Sequence, residues 1–160
     1  MTAHGKSSKP AAQRITVLSV SPAEEDHIRL KEILSSPKRT IHSNLTFTMI
    51  ARKTISEAKS ILGQGRISIV LCEHDLAPGS WKELLDSAEG LPAPPPVIVA
   101  SRIADERMWA EVLNLGGYDV LARPLSGEEV IRSVTSAWSL RQHQLQFRDG
   151  RAEKVRGNAA

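Results

Sequence analysis

The chain has 160 residues, of which 41% are hydrophobic and 24% charged, a composition typical of one soluble domain with a single core. No apolar run approaches the roughly 18–20 residues that a membrane-spanning helix needs, and residues 1–14 lack the apolar stretch of a secretory signal. The single cysteine, Cys72, excludes an intramolecular disulfide and a cysteine-based zinc site, so we expect a cytoplasmic protein.

The net charge of +3 is distributed unevenly along the chain. Residues 1–14 and 141–160 each carry a net charge of +3, whereas residues 15–140 hold 13 basic and 16 acidic side chains. Binding of nucleic acid through the globular part is disfavoured, because phosphate contacts need clustered Lys and Arg. We interpret residues 1–13 as a disordered basic tail. Residues 143–160 are a basic extension in which the last helix reaches Phe147 before disorder, with binding of an anionic partner as the alternative role.

Two kinds of apolar pattern alternate along residues 14–142. Short β-branched runs predict buried strands at 15–20, 45–50, 67–72, 97–100 and 118–122. Apolar residues spaced by three and four predict amphipathic helices at 23–35, 55–62, 81–89, 104–115 and 127–145. Four helix starts carry the pattern of a capping box, in which a hydroxyl and a Glu satisfy the first backbone N–H groups: Ser21 with Glu24, Thr54 with Glu57, Ser80 with Glu83, and Ser126 with Glu129.

The strict strand–helix alternation predicts an α/β fold, a doubly wound parallel sheet with helices on both faces. Sites in such sheets lie at the carboxyl ends of the strands. Glu73 ends the third strand, and Arg123 and Pro124 end the fifth, where the arginine could pair with Glu73. From composition alone, an acidic site and a solvated loop explain Glu73 and Asp75 equally well.

Four tracts carry a resemblance to a known family: ITVLSVSPAEED, ISIVLCEHDLAPGSWKELL, PPVIVASR and LNLGGYDVLARPLSGEEV. Over about residues 14–140 the chain resembles the receiver domain of bacterial two-component response regulators. The resemblance implies a flavodoxin-like (βα)5 fold with strand order 2-1-3-4-5.

The residues that the resemblance places at the phosphorylation site depart from the family pattern. The two metal-binding acids fall on Ser21 and Pro22, and the phosphoacceptor Asp falls on Glu73. The conserved hydroxyl falls on Ser101, whereas the Lys before Pro124 is replaced by Arg123. A second registration would place the acceptor on His74, and Asp75 is a less favoured acceptor.

Metal-dependent phosphorylation is disfavoured, because Mg²⁺ takes oxygen ligands, often carboxylates, and Ser21 offers one neutral hydroxyl. The acids at 24–26 are explained by the helix dipole, which favours negative charge in a first turn. One hypothesis is that Glu73, Ser101 and Arg123 form a fixed cluster that needs no phosphate. The other is that the pocket has drifted and Glu73 is merely solvated.

The sequence therefore predicts a stand-alone, degenerate receiver, a non-enzymatic module of protein interaction in bacterial signal transduction, without a cofactor. The alternative is a phosphoacceptor in a phosphorelay that uses Glu73 or Asp75 and Mg²⁺. A flavodoxin-like enzyme is disfavoured, since no phosphate-binding glycine motif is present. The expected partner is a histidine kinase or another signalling protein, or a second copy, and not a membrane. The resemblance implies a partner face around Trp109, Tyr118 and Val130.

Overall fold

The computed structural model describes residues 11–36 and 44–159. Five strands alternate with five helices, in the chain order β1 (Gln13–Val20), α1 (Glu24–Ser35), β2 (Leu45–Arg52), α2 (Ile55–Leu62), β3 (Ile69–Glu73), α3 (Trp81–Glu89), β4 (Val97–Ser101), α4 (Glu106–Asn114), β5 (Asp119–Ala122) and α5 (Gly127–Gly157). Most of the predicted N-terminal tail, residues 1–10, lies outside the described residues, and Gln13 already belongs to β1.

All strand pairs are parallel, and the strands lie in the order β2-β1-β3-β4-β5. This confirms the predicted doubly wound fold and its strand order. The register places Glu73 beside Ala100, and Ser101 beside Ala122. The last residues of β3, β4 and β5 therefore lie side by side at the carboxyl edge of the sheet.

The core consists of two apolar layers, one on each face of the sheet, because side chains alternate between the faces along each strand. One layer packs the even positions of β1 and β3 against α2, α3 and α4, and the other packs the odd positions against α1 and α5. Every residue of β3 and β4 is buried. Each fully buried Leu, Ile or Val in these layers contributes about 1.5–3 kcal/mol to stability.

Only one of the four predicted capping boxes forms completely, and the structure corrects the other three. Thr54 forms the complete box with Glu57. Ser80 accepts from the Lys82 N–H, without the reciprocal bond from Glu83, and Ser126 makes no side-chain cap bond. The cap of α1 is Ala23 rather than Ser21, so the helix begins two residues later than the predicted capping box implies.

The C-terminal extension differs from the prediction, because the last helix is longer than expected. α5 continues past Phe147 to Gly157, where a disordered segment was expected. Its first half packs on the sheet through Val130, Val134 and Ala137, whereas all residues from 146 to 159 are exposed. None of the helices in the described ranges is both long enough and apolar enough to cross a membrane.

Candidate functional site

Four polar side chains from three separate loops meet at the carboxyl edge of the sheet. Ser21 follows β1, Asp26 lies in the first turn of α1, Glu73 ends β3, and Arg123 follows β5. The backbone N–H of Arg123 donates to the carbonyl of Ser101 at 2.9 Å, which fixes the start of this loop against β4. We call Ser21, Asp26, Glu73 and Arg123 the Arg123 cluster.

The guanidinium of Arg123 bridges the two carboxylates of the cluster. Its Nε donates to Oε2 of Glu73, and its Nη1 donates to Oδ1 of Asp26 at 2.7 Å. The other oxygen of Asp26 accepts from the Ser21 hydroxyl at 2.5 Å. Only 11% of the Arg123 side chain and 10% of the Glu73 side chain are exposed, so this ion pair is largely shielded from water.

The electrostatics of the cluster follow from two carboxylates sharing one guanidinium. Burial raises the pKa of Glu73, and the negative charge of Asp26 adds to this effect, whereas Arg123 opposes it. A planar guanidinium has five N–H donors and can bind two carboxylates at once, which the single ammonium of a lysine does with less directional control. The ionised cluster carries a net charge of −1.

Asp26 was not predicted as a site residue. Glu24, which the sequence analysis assigned to a capping box, pairs instead with Lys53 at 3.1 Å. Because α1 begins at Glu24, Asp26 occupies its third position, from which the side chain reaches back to the loop after β1. The sequence analysis assigned the acids at 24–26 to the helix dipole and placed the cap at Ser21, so it did not show that Asp26 reaches the site.

His27, which no motif in the sequence singles out, also supports the site. Its ring is buried, with Nδ1 hydrogen-bonded to Ser19 Oγ at 2.8 Å and Nε2 donating to the carbonyl of Ser21 at 3.0 Å. The bond to Ser21 holds the backbone of the loop after β1, and the bond to Ser19 ties the ring to the end of β1. His27 therefore helps to position Ser21, which is a member of the Arg123 cluster.

The remaining predicted site residues lie outside the cluster. The Ser101 hydroxyl is buried and accepts from the N–H of Ile103 at 3.1 Å, so its side chain does not join Glu73 and Arg123 as the hypothesis expected. Pro22 is exposed, and Pro124 is exposed after a cis peptide bond with Arg123. The side chain of Asp75 is 87% exposed and contacts His74 at 3.0 Å.

The predicted partner face needs one correction. Trp109 is 47% exposed on α4, and Tyr118 is half-buried, but Val130 is 0% exposed in the core and cannot contact a partner. Three more exposed apolar side chains lie close to Trp109 in the sequence: one in the loop before α4, one in its last turn and one at its C-cap. We call this set the α4 surface: Ile103, Trp109, Leu113 and Leu115.

Comparison with solved structures identifies the fold. The signal receiver domain of a protein described as a LuxO repressor, from Vibrio parahaemolyticus, superposes with a TM-score of 0.70 at 16% identity, over 84% of this chain and 98% of that one. The fold is that of a receiver domain. The receiver domain of an HD-domain protein from Pseudomonas fluorescens Pf-5 gives 0.66 at 21% identity (82% and 99% covered), and that of Thermotoga maritima CheB gives 0.66 at 20% (79% and 98%).

Neither a protein-family model nor a curated protein matches the sequence. At identities of 21% and below, these receiver domains share the architecture with this chain, and the chemistry of its site has to be argued from its own residues. The receiver fold places the Arg123 cluster at the sheet edge where parallel α/β sheets carry their sites.

Proposed function

We propose that this chain is a receiver-fold module of signal transduction that acts in the cytoplasm through protein contacts and without phosphoryl transfer. The observation that carries the proposal is the bridge from Arg123 to both Glu73 and Asp26. The bridge occupies the carboxylate at the position where the resemblance implies a phosphoacceptor.

Glu73 is a poor nucleophile toward a phosphoryl donor in this arrangement. Attack requires an accessible carboxylate oxygen in line with the leaving group. Oε2 of Glu73 accepts from Arg123, and 10% of the side chain is exposed. The net negative charge of the ionised cluster also repels an anionic phosphoryl donor.

The donor set does not fit the Mg²⁺ that the receiver fold implies. A magnesium site needs oxygen ligands in octahedral order, with one or two carboxylates free to bind the ion. Both carboxylates of the cluster already bind a guanidinium, whose positive charge takes the place a cation would need. Within the described residues, no group of three or more His, Cys, Asp or Glu side chains lies close enough to hold a metal ion.

The cluster instead fixes the loops at the carboxyl edge in one arrangement. Arg123 ties the loop after β5 to the end of β3 and to the first turn of α1. A guanidinium stays charged at every physiological pH, so the bridge does not depend on a modification that comes and goes. The module therefore presents a constant surface to its partner.

The α4 surface supports a protein as the partner. Four large apolar side chains are exposed within residues 103–115, and two of them, Trp109 and Leu113, lie four residues apart on one face of α4. Exposed apolar patches mark interaction sites. The proposed partner is a signalling protein such as a histidine kinase, or a second copy of the chain. Replacing Trp109 with Ala tests this surface, since an aromatic side chain at an interface centre often dominates the binding energy.

Intact-mass spectrometry tests the absence of phosphoryl transfer. The chain is incubated with Mg²⁺ and a small acyl phosphate, in parallel with a receiver domain that accepts phosphate under the same conditions. We expect the control to gain a phosphoryl group and this chain to keep its mass. A gain that disappears in Glu73→Gln or Asp75→Asn would instead establish the phosphorelay alternative and overturn the proposal.

A further inference from the structure

A second feature lies at the opposite edge of the molecule from the Arg123 cluster. The proline-rich loop before β4 and the second half of α5 enclose an open groove of about 400 Å³. The groove is lined on the loop by Ala93 and Pro94 and on the helix by Arg141, Leu145, Phe147 and Arg148. We call it the α5 groove. Its size suits a few side chains of a peptide rather than a large cofactor.

Neither arginine of the groove pairs with an acidic side chain among the residues that the structure describes. Nη2 of Arg141 donates to the carbonyl of Ala93 at 3.3 Å, and Nη1 of Arg148 donates to the carbonyl of Pro92. Nε of Arg141 is buried without a hydrogen-bond partner, the one side-chain atom of this kind within residues 11–36 and 44–159. Burial lowers the pKa of Arg141. A partly buried charge without a counter-ion is costly, and an incoming anion relieves that cost.

The groove also exposes apolar side chains to solvent. Phe147 is 77% exposed, and Leu145 and Pro94 line the same depression. No carboxylate lines the groove, whereas two guanidinium groups do. The chemistry that complements this surface is a carboxylate adjacent to an apolar side chain.

The chain's own undescribed segments do not supply that chemistry. Residues 1–10 and 37–43 contain Lys, Arg and His but no Asp or Glu. Beyond the groove, α5 continues with Arg151, Lys154 and Arg156 against two acids. The positive charge therefore extends along the helix, and neither of these two segments complements it.

We propose that the α5 groove binds an acidic segment of a partner protein, with its carboxylates against Arg141 and Arg148 and an apolar side chain against Phe147. Ordering of the exposed end of α5 would accompany binding, since a short helix without tertiary contacts is marginally stable in water. This inference is independent of the proposed loss of phosphoryl transfer, because the groove shares no residue with the Arg123 cluster.

The test starts from a random dodecapeptide library displayed on phage and selected against the full-length chain. Peptides that also bind Phe147→Ala are removed, and the survivors are synthesised and titrated by fluorescence anisotropy. We expect the survivors to be enriched in Asp or Glu beside Leu, Ile or an aromatic residue. Arg148→Glu should weaken their binding by about tenfold or more, because it reverses a charge at the contact.

Arg156→Glu is the matched control, since it makes the same charge change on the same helix at an exposed residue outside the groove. It should change the affinity by about twofold or less, as expected of a charge outside the contact. Circular dichroism checks that Arg148→Glu, Arg156→Glu and Phe147→Ala are folded.

Three results would overturn the proposal. The first is survivors without acidic enrichment, and the second is equal weakening by Arg148→Glu and Arg156→Glu. The third is a different occupant, revealed when Arg148→Glu abolishes either self-association in sedimentation or binding to phosphatidylserine vesicles while peptide binding stays unchanged.

Discussion

Arg123 holds together two carboxylates that would otherwise repel each other at the edge of the sheet. Removing one member of a buried ion pair costs more than the pair contributes, because the remaining charge stays buried without compensation. Loss of Arg123 would leave two buried carboxylates without a cation, whereas loss of Glu73 would leave Arg123 paired with Asp26. The stability of the site therefore depends more on Arg123 than on Glu73.

Arg123→Gln should lower the free energy of unfolding by about 3 kcal/mol at pH 7, since Glu73 and Asp26 then face each other without a cation. Urea denaturation at pH 7 and pH 5 measures the effect. Part of the loss should be recovered at pH 5, where protonation relieves the repulsion. Arg102→Gln is the control, an exposed arginine directly after β4. Equal losses in the two variants would contradict the role assigned to Arg123.

Glu73→Gln tests the direction of the Glu73 pKa shift. The pKa is raised from its ordinary value of 4.5, so the folded state binds the proton more tightly than the unfolded state. The contribution of Glu73 is therefore most favourable below pH 4.5 and declines as the pH rises through the folded pKa. Unfolding measured from pH 4 to 8 should show the wild type losing stability relative to Glu73→Gln. A wild type that instead gains stability relative to Glu73→Gln as the pH rises would mean that folding lowers the pKa of Glu73.

Cys72 is expected to be inert in the folded protein. It is fully buried in β3, and burial raises the pKa of its thiol to about 12, with the charge of Glu73 adding to the effect. Because the thiolate is the reactive form, iodoacetamide should label Cys72 only when the chain unfolds. Labelling followed by mass spectrometry with and without urea measures this. Fast labelling without denaturant would show that β3 opens locally.

At the scale of elements, identical sequence patterns at helix starts have different outcomes. Thr54 and Ser126 each precede a Glu by three residues, yet only Thr54 forms the box. A side chain can cap a helix only when the entering chain holds its oxygen over the first N–H groups. The direction of entry is set by how each helix docks on the sheet, which the local sequence does not encode.

The pair Thr54→Ala and Ser126→Ala should separate these cases. Thr54→Ala should cost about 1 kcal/mol of unfolding free energy, the usual value of an N-cap, and Ser126→Ala should cost close to nothing. Chemical denaturation of both variants provides the measurement, and each serves as the control for the other. Equal costs would imply that Ser126 caps α5 in solution.

At the scale of the whole molecule, the Arg123 cluster and the α5 groove lie at opposite edges of one sheet. The Arg123 cluster lies at the carboxyl ends of the strands, and the α5 groove lies beside the loop that enters β4. The α4 surface lies on a third part of the exterior. A molecule of this shape can contact a partner through the α4 surface and another through the α5 groove without competition for the same residues.

The long last helix should be stable in its first half only. Val130, Val134 and Ala137 are fully buried, whereas every residue from 146 to 159 is exposed. Hydrogen exchange read by mass spectrometry should show strong protection up to about Ala137 and fast exchange beyond Asp149, since helices without packing fray. Uniform protection to Gly157 would show that the end of α5 packs against another molecule.

The sequence by itself determined the alternation of strands and helices and the parallel sheet, because apolar periodicity and connection rules act locally. The strand order was implied only by the resemblance to receiver domains. The sequence also brought Glu73 and Arg123 to one edge, since the ends of parallel strands meet there. It did not determine that Ser101 bonds to its own loop or that α5 continues past Phe147.

Only the tertiary structure decided the third member of the site. Asp26 joins Glu73 and Arg123 because it lies in the first turn of α1, a helix that Leu30 and Ile33 pack against the sheet. In the same way the pairing of Arg141 with a backbone carbonyl rather than an acid follows from where the loop before β4 meets α5. Side-chain partners far apart in sequence depend on the relative placement of whole elements, and that placement is a property of the assembled core.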